Sequence, residues 1–217
     1  YTAEAPVAAV QTDQTSSTGR AGSQETLGKA AKWIDAHRDV KYMAFVRLGE
    51  LRDTRASERS GRALVPDPAA ATPGALYNAT VQYVDRNVGE FIARARGAVP
   101  GNKLCVVVTS TRGSYLPEET VLADWSLRVP VILSVPGVTA AKRNEMVALE
   151  DVPSTLAKLT HGTLSPYAST ADLINAPVSR EPISMAGNPL MLSIRDAKLR
   201  LGWSTQLPQS PCRYRRL

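Results

Sequence analysis

The sequence predicts an α/β fold: a mixed, mostly parallel sheet flanked by helices, with a small antiparallel sheet at the C-terminal end. Three stretches carry this expectation. Lys103–Gly113, KLCVVVTSTRG, holds an unbroken run from Leu104 to Val108 rich in β-branched residues. Such a run suits a strand buried on both faces of a sheet covered by helices. Helix-period patterns alternate with further apolar strand patterns over residues 24–160. Finally, ISMAGNPLMLSIRDAKLRLGW (Ile183–Trp203) alternates apolar and polar residues around the turn signals Gly187-Asn188 and Arg195-Asp196, as antiparallel strands do.

Taken in order, residues 1–23 are rich in Ala, Thr, Ser, Gln and Gly without a period. They are expected to form an extended arm, ordered only against a partner. A helix is predicted from Gln24 to His37, where Leu27, Ala30, Ala31 and Ile34 recur at helical spacing. Tyr42–Leu48 reads as an apolar strand, and residues 54–74 as a Pro-, Gly- and Ala-rich loop. From Leu76 to Ala98 a helix is expected to bury Val81, Val84, Val88, Phe91 and Ile92, and Pro100-Gly101 ends it. A short helix is predicted within residues 114–125, then a buried strand over Arg128–Val135 with Pro130 near its start. Met146–Leu149 reads as another short strand. Asp151 is placed as the N-cap of a helix running to Thr160 and closed by His161-Gly162. Both histidines, His37 and His161, thus fall at helix C-termini, where a cation is favoured locally, and read as structural. Residues 163–180 look irregular, with a helical turn around Ala171–Ile174.

With 217 residues and 43% hydrophobic content, the chain can bury one good-sized core. It holds no apolar run of the ~18 residues that a membrane span needs. The formal charge of +6 is scattered except in the terminal CRYRRL, which is expected to be a solvated basic tail rather than a nucleic-acid contact. The domain expectation is an arm over 1–23, a folded domain over 24–203 and a basic tail over 204–217. Cys105 lies in the central strand and Cys212 in the tail, so no disulfide is expected, and unpaired thiols favour a reducing compartment. The chain starts at Tyr1 rather than Met, which reads either as a removed leader or as a trimmed N-terminus. Together these features place the expected setting in a mitochondrial complex, with a secreted or periplasmic setting as the alternative.

Four stretches also carry a resemblance. They are YNATVQYVDRNVGEFIARAR (Tyr77–Arg96), KLCVVVTSTRG, SLRVPVILSVPG (Ser126–Gly137) and LEDVPSTLAKLTHG (Leu149–Gly162). In this order and spacing they resemble the C-terminal half of the sulfatases of the alkaline phosphatase superfamily, over roughly Glu25–Trp203. The resemblance implies a partial sulfatase-like fold whose last hairpin includes Arg195, Lys198 and Leu199. That family hydrolyses sulfate or phosphate esters with a divalent metal and a Cys-, Ser- or Thr-derived nucleophile. Where it places a metal-binding Asp and His, this chain has Thr111 and Arg112. Two further family histidines fall at Arg47 and Arg52. No counterpart of the segment carrying the nucleophile is present, and the lysine that many members carry after the central strand is absent from residues 114–125.

Thr is a weak neutral ligand, and Arg repels a cation without ever deprotonating. No catalytic residue, metal or cofactor is therefore expected. The sequence also lacks a phosphate-binding Gly-rich loop, a Cys-x-x-Cys, a His-Glu-x-x-His and a serine elbow. The preferred expectation is a catalytically inactive, sulfatase-like structural subunit of a larger assembly, with other subunits covering its open sheet. The alternative is one chain of a two-part ester hydrolase whose nucleophile and metal ligands lie on the other chain. Asp85, which matches a helix Asp of the family that is not a metal ligand, is expected to be structural. Arg47, Arg52 and Arg112 are expected either to form an anion site where the metal site would lie, or to face solvent or pair with acids such as Glu50 and Asp53.

Overall fold

The computed structural model describes residues 7–10, 22–51, 64–67, 69–99, 101, 103–111, 113, 124–162, 172–175, 183–186, 191–195, 199–204 and 213–216. The chain divides into two compact units, Tyr1–Val106 and Val107–Leu217.

The first unit is built on two helices, α1 (Ser23–Ala36) and α2 (Pro73–Ala98), and a parallel strand pair, β1 (Val7–Val10) with β2 (Met43–Val46). In α1 the expected stripe is the core: Leu27, Ala30, Ala31 and Ile34 are all buried. The partner stripe on α2 differs from the expectation. Val84, Val88, Phe91 and Ile92 are only half-buried and Val81 is exposed, whereas Leu76, Ala79, Thr80 and Ala95 are buried. Small residues at the contact let two helix backbones approach closely, and Ala30 and Ala31 on α1 meet that requirement.

Thr80, Asn87 and Arg94 recur every seven residues, two helical turns apart, and so share one face of α2. Asn87 Nδ2 donates to Ser23 Oγ at 2.9 Å, and Arg94 pairs with Asp35. The two bonds advance in the same direction along both helices. Thr80 Oγ1 turns back to Leu76 O at 2.8 Å, so its buried hydroxyl is satisfied inside the helix.

Helix α2 starts three residues before the predicted Leu76. Thr72 Oγ1 accepts from Ala75 N–H, and Pro73 occupies the first helical position, where a missing N–H costs nothing. A Thr-Pro pair is a helix start, a signal that was read as loop. At the other end of α1, Trp33 stacks on His37 with centroids 4.1 Å apart and meets Tyr42 edge-on at 5.6 Å. The His37 ring nitrogen Nδ1 lies 2.8 Å from Trp33 O, an N–H donor's position. The structural assignment of His37 holds, since the ring closes the helix end.

Two expectations for the terminal segments are corrected. Part of the N-terminal arm is a strand: β1 pairs in parallel with β2, Val7 opposite Met43 and Val10 opposite Val46. Val-Ala-Ala-Val is a short strand on its own, and the unpaired edge of β2 supplies its hydrogen-bond partners. The basic terminus is likewise not all tail, because Arg213–Arg216 forms the last strand of the C-terminal sheet.

The second unit contains β3 (Val106–Thr109, beginning at the unit boundary) beside β4 (Val131–Ser134), the short α3 (Asp124–Leu127), and α4 (Asp151–Thr160). It also carries an antiparallel sheet in sequence order: β5 (Ile183–Ala186), β6 (Met191–Arg195), β7 (Leu199–Ser204) and β8 (Arg213–Arg216). Met146–Leu149 is not a strand. Asp151 N–H and Val152 N–H already bond back to Ala148 O and Leu149 O, so the run winds into the helix.

Glu150, not Asp151, is the residue before the first helical position. The Asp151 carboxylate, fully buried, reaches back to accept from Ala148 N–H at 2.9 Å. One turn on, Thr155 Oγ1 donates to Asp151 O at 2.7 Å and accepts from Leu173 N–H at 3.0 Å, tying α4 to the turn at 172–175. Arg143 adds a bond to Ile174 O at 2.9 Å. Burial raises the Asp172 carboxyl, but hydrogen bonds from the Asn175 and Ile174 backbones and the Asn175 side chain, with the Lys158 charge, outweigh it. They hold Asp172 below the ordinary carboxylate range.

Helix α4 closes on His161, which adopts the left-handed conformation at φ 55°. Gly162 N–H bonds to Ala157 O at 2.8 Å and His161 N–H to Lys158 O, the pairing that satisfies the last carbonyls of a helix.

Three measurements check these assignments. Ile34→Ala should cost about 2–5 kcal/mol in denaturant titration, while Val81→Ala stays within about 0.5 kcal/mol. His161→Gly should stabilise by roughly 1 kcal/mol, because the left-handed conformation strains a side-chain-bearing residue. Asp172, with its folded pKa lowered, contributes stability above the unfolded carboxyl pKa of ~3.9 and loses it as pH falls through the folded value. Asp172→Asn should therefore be less stable than the wild type at neutral pH, with the difference closing as pH falls through the folded pKa.

Candidate functional site

The expected site is the carboxyl end of β3. The strand itself is half-buried rather than buried on both faces: Val106, Val107 and Val108 keep partial exposure, and Ile132 on the neighbouring β4 is 59% exposed. Burial pushes the Cys105 thiol up, and Cys105 is a free thiol.

Beyond the strand the chain offers hydroxyls. Thr109 Oγ1 donates to Pro130 O at 2.8 Å, latching the end of β3 to the residue before β4. Ser110 is half-buried and engaged in an interaction, and Thr111 is exposed. Gly113 N–H donates to Ser126 O at 2.7 Å and so fixes the return of the chain at α3. The strand end is thus held by backbone carbonyls, and the Thr109 hydroxyl is spent on one of them. Among the described residues, no group of three or more His, Cys, Asp or Glu side chains is placed to hold a metal ion.

Arg47 follows β2 in the first unit and is exposed; among the described residues it takes part in no hydrogen bond or ion pair. Arg52 and Arg112 lie outside the described residues, as does Asp53, so the expected convergence of three arginines concerns positions the structure does not describe. Glu50, one of the acids considered as a partner for them, is buried. Its Oε1 lies 3.3 Å from where a side chain at Gly22 would begin, at the amino end of α1, where the helix dipole favours a carboxylate. Sequence patterning did not single out Glu50, because an acid between a strand and a loop reads as solvated. Asp85 is exposed on α2, and among the described residues nothing pairs with it.

No protein-family model and no curated protein sequence matches the chain. Among solved structures, it is similar to a protein in the alkaline phosphatase superfamily from Vibrio parahaemolyticus, with a TM-score of 0.70 at 14% sequence identity. The likeness is one of fold: the architecture is similar to that of this alkaline phosphatase superfamily protein. The likeness covers 94% of this chain and 49% of that one, so the chain spans about half the length of that structure. At such identity it speaks for architecture, and the chemistry has to be argued from the residues at the strand end. Among the described residues, no helix is long and apolar enough to cross a membrane.

The raised thiol predicts slow chemistry at β3. Alkylation of Cys105 at neutral pH, followed by peptide mass spectrometry, should be slower in the native protein than in urea. Equal rates would mean that the strand does not shield it.

Proposed function

We propose that the chain is a catalytically inactive, sulfatase-like domain acting as a structural subunit in a larger protein assembly, a mitochondrial complex being the preferred setting. The observation that carries this is the strand end itself. By the sequence resemblance, Thr111 and Arg112 take the positions of the metal-binding Asp and His, and neither is the hard, deprotonatable oxygen or imidazole ligand that ester hydrolysis through a divalent metal requires. The commitment of the Thr109 hydroxyl to the Pro130 carbonyl supports a structural role for this end.

Exposed apolar surface supports the second half of the proposal. Met43 (50% exposed) and Phe45 (59%) alternate along β2 and so share one face of the β1–β2 pair. Ala44 and Val46, on the opposite face, are half-buried, and α1 packs against this strand. Neighbouring apolar residues left in water favour association with a partner. A fold of which this chain spans about half offers such a partner: the remaining elements, on the same polypeptide or on another. That same fact favours the second reading, in which the other half of a two-part hydrolase brings the nucleophile and metal ligands.

Two experiments separate these readings. Titration calorimetry of calcium, magnesium, manganese and zinc into the purified chain should show no saturable site; a stoichiometric site weakened by Thr111→Ala would refute the structural reading of the strand end. Mass spectrometry of chains that co-purify should find subunits without a sulfatase-type nucleophile segment. A companion carrying such a segment would establish the two-part enzyme instead.

A further inference from the structure

Exposure alternates without a break from Lys41 to Leu48. Lys41, Met43, Phe45 and Arg47 are exposed, whereas Tyr42, Ala44, Val46 and Leu48 are half-buried. An extended chain sends alternate residues to opposite faces, so the first four share the outer face of β2 and its flanks. That face carries two large apolar side chains, Met43 and Phe45, between two cations. Six residues of extended chain set Lys41 and Arg47 about 20 Å apart. Of the acids nearest in sequence, Asp39 lies 3.9 Å from Arg38 and Glu50 is buried. Among the described residues, neither Lys41 nor Arg47 makes a hydrogen bond or ion pair.

The strand pairing says what kind of element belongs on this face. β1 and β2 run parallel, and parallel strands are almost always covered by helices on both faces. Helix α1 supplies one cover, on the side where Ala44 and Val46 are half-buried and Tyr42 meets Trp33 edge-on at 5.6 Å. The outer face has no such cover, since Met43 is 50% and Phe45 59% exposed. About half of the solved structure that this chain resembles in fold has no counterpart in it. The second cover therefore has a source outside these residues.

We propose that an amphipathic helix from outside this chain docks across Met43 and Phe45, with a carboxylate near each end paired to Lys41 and Arg47. A helix rises 1.5 Å per residue, so the separation of the two cations corresponds to roughly 13 residues, between three and four turns. Burial of the two apolar side chains supplies the attraction. The two cations fix where the helix lies and reject one with basic ends. The proposal names the occupant of the association surface described above and rests on that reading, but it does not depend on catalytic inactivity.

The test titrates the full chain into a dye-labelled amphipathic helical peptide of about 15 residues, with leucines along one face and glutamates at both ends, and follows fluorescence anisotropy. Two control peptides replace the glutamates by lysines or the leucines by serines. The glutamate peptide should bind saturably, more tightly than either control, and less tightly as salt is added. Phe45→Ser should weaken binding by roughly tenfold or more, and Met43→Ser repeats the comparison if Phe45→Ser does not fold. Reversing both charges, with Lys41→Glu and Arg47→Glu, should invert the preference so that the lysine peptide binds better. Ile132→Ser, at an equally exposed apolar residue of β4, should leave binding unchanged. No saturable binding, a preference that charge reversal does not invert, or binding lost with Ile132→Ser would overturn the proposal. So would self-association of the chain through Phe45 in sedimentation, or binding of phosphatidylserine vesicles through Phe45 in place of the peptide. A co-purifying subunit retained by both Phe45→Ser and Met43→Ser would keep the structural-subunit reading and overturn this proposal. Peptide binding in a chain with which nothing co-purifies would support this proposal and count against that reading.

Discussion

The first unit depends on the packing of α1 against α2. Ala30, Ala31 and Ile34 on α1 and Ala79, Thr80 and Ala95 on α2 are buried, and a larger side chain at the alanines would force the helices apart. The polar pairs Ser23–Asn87 and Asp35–Arg94 set the register of that contact rather than supplying most of its stability. The exposed Asp35–Arg94 pair is worth at most about 1 kcal/mol, whereas burying Ile34 alone contributes more. On α2, Val84, Val88 and Phe91 lie on the same side of the helix as Thr80 and Ala95 and are half-buried there.

In the second unit a buried polar hub plays the comparable part. Asp151 and Thr155 are fully buried, and each has its hydrogen bonds within α4 or to the segments flanking it. Satisfied networks of this kind specify one arrangement, because any other leaves buried groups unpaired. The hub joins the turn before α4, the helix itself and the 172–175 turn, and so fixes segments that have little apolar surface of their own.

Much of this architecture was legible in the sequence. The stripe Leu27–Ala30–Ala31–Ile34 announced α1 and its buried face, and the β-branched runs announced β3 and β4. Period-two alternation announced the antiparallel sheet. What escaped has identifiable causes. β1 and β8 are short strands whose order comes from a neighbouring edge, which local composition does not reveal, although Arg-Tyr-Arg in β8 does alternate. On α2 the most deeply buried residues are Leu76, Ala79, Thr80 and Ala95 rather than the valines and Phe91, and hydrophobicity alone does not mark Ala and Thr. At the strand end, the identities of Thr111 and Arg112 were plain, yet the latch from Thr109 to Pro130 is a tertiary contact that no local pattern encodes.

The chain is similar in fold to a protein of the alkaline phosphatase superfamily; the end of β3 carries hydroxyls, with Thr109 latched to the Pro130 carbonyl, and Met43 and Phe45 on β2 are exposed. The central proposal is that this chain does not hydrolyse esters. The most direct measurement is turnover of p-nitrophenyl sulfate and p-nitrophenyl phosphate by the purified chain with calcium, magnesium, manganese or zinc added in turn. The account predicts release of nitrophenol no faster than in buffer containing the same metal. Metal-dependent turnover that scales with protein concentration and falls on substitution of Thr111 by Val would contradict it.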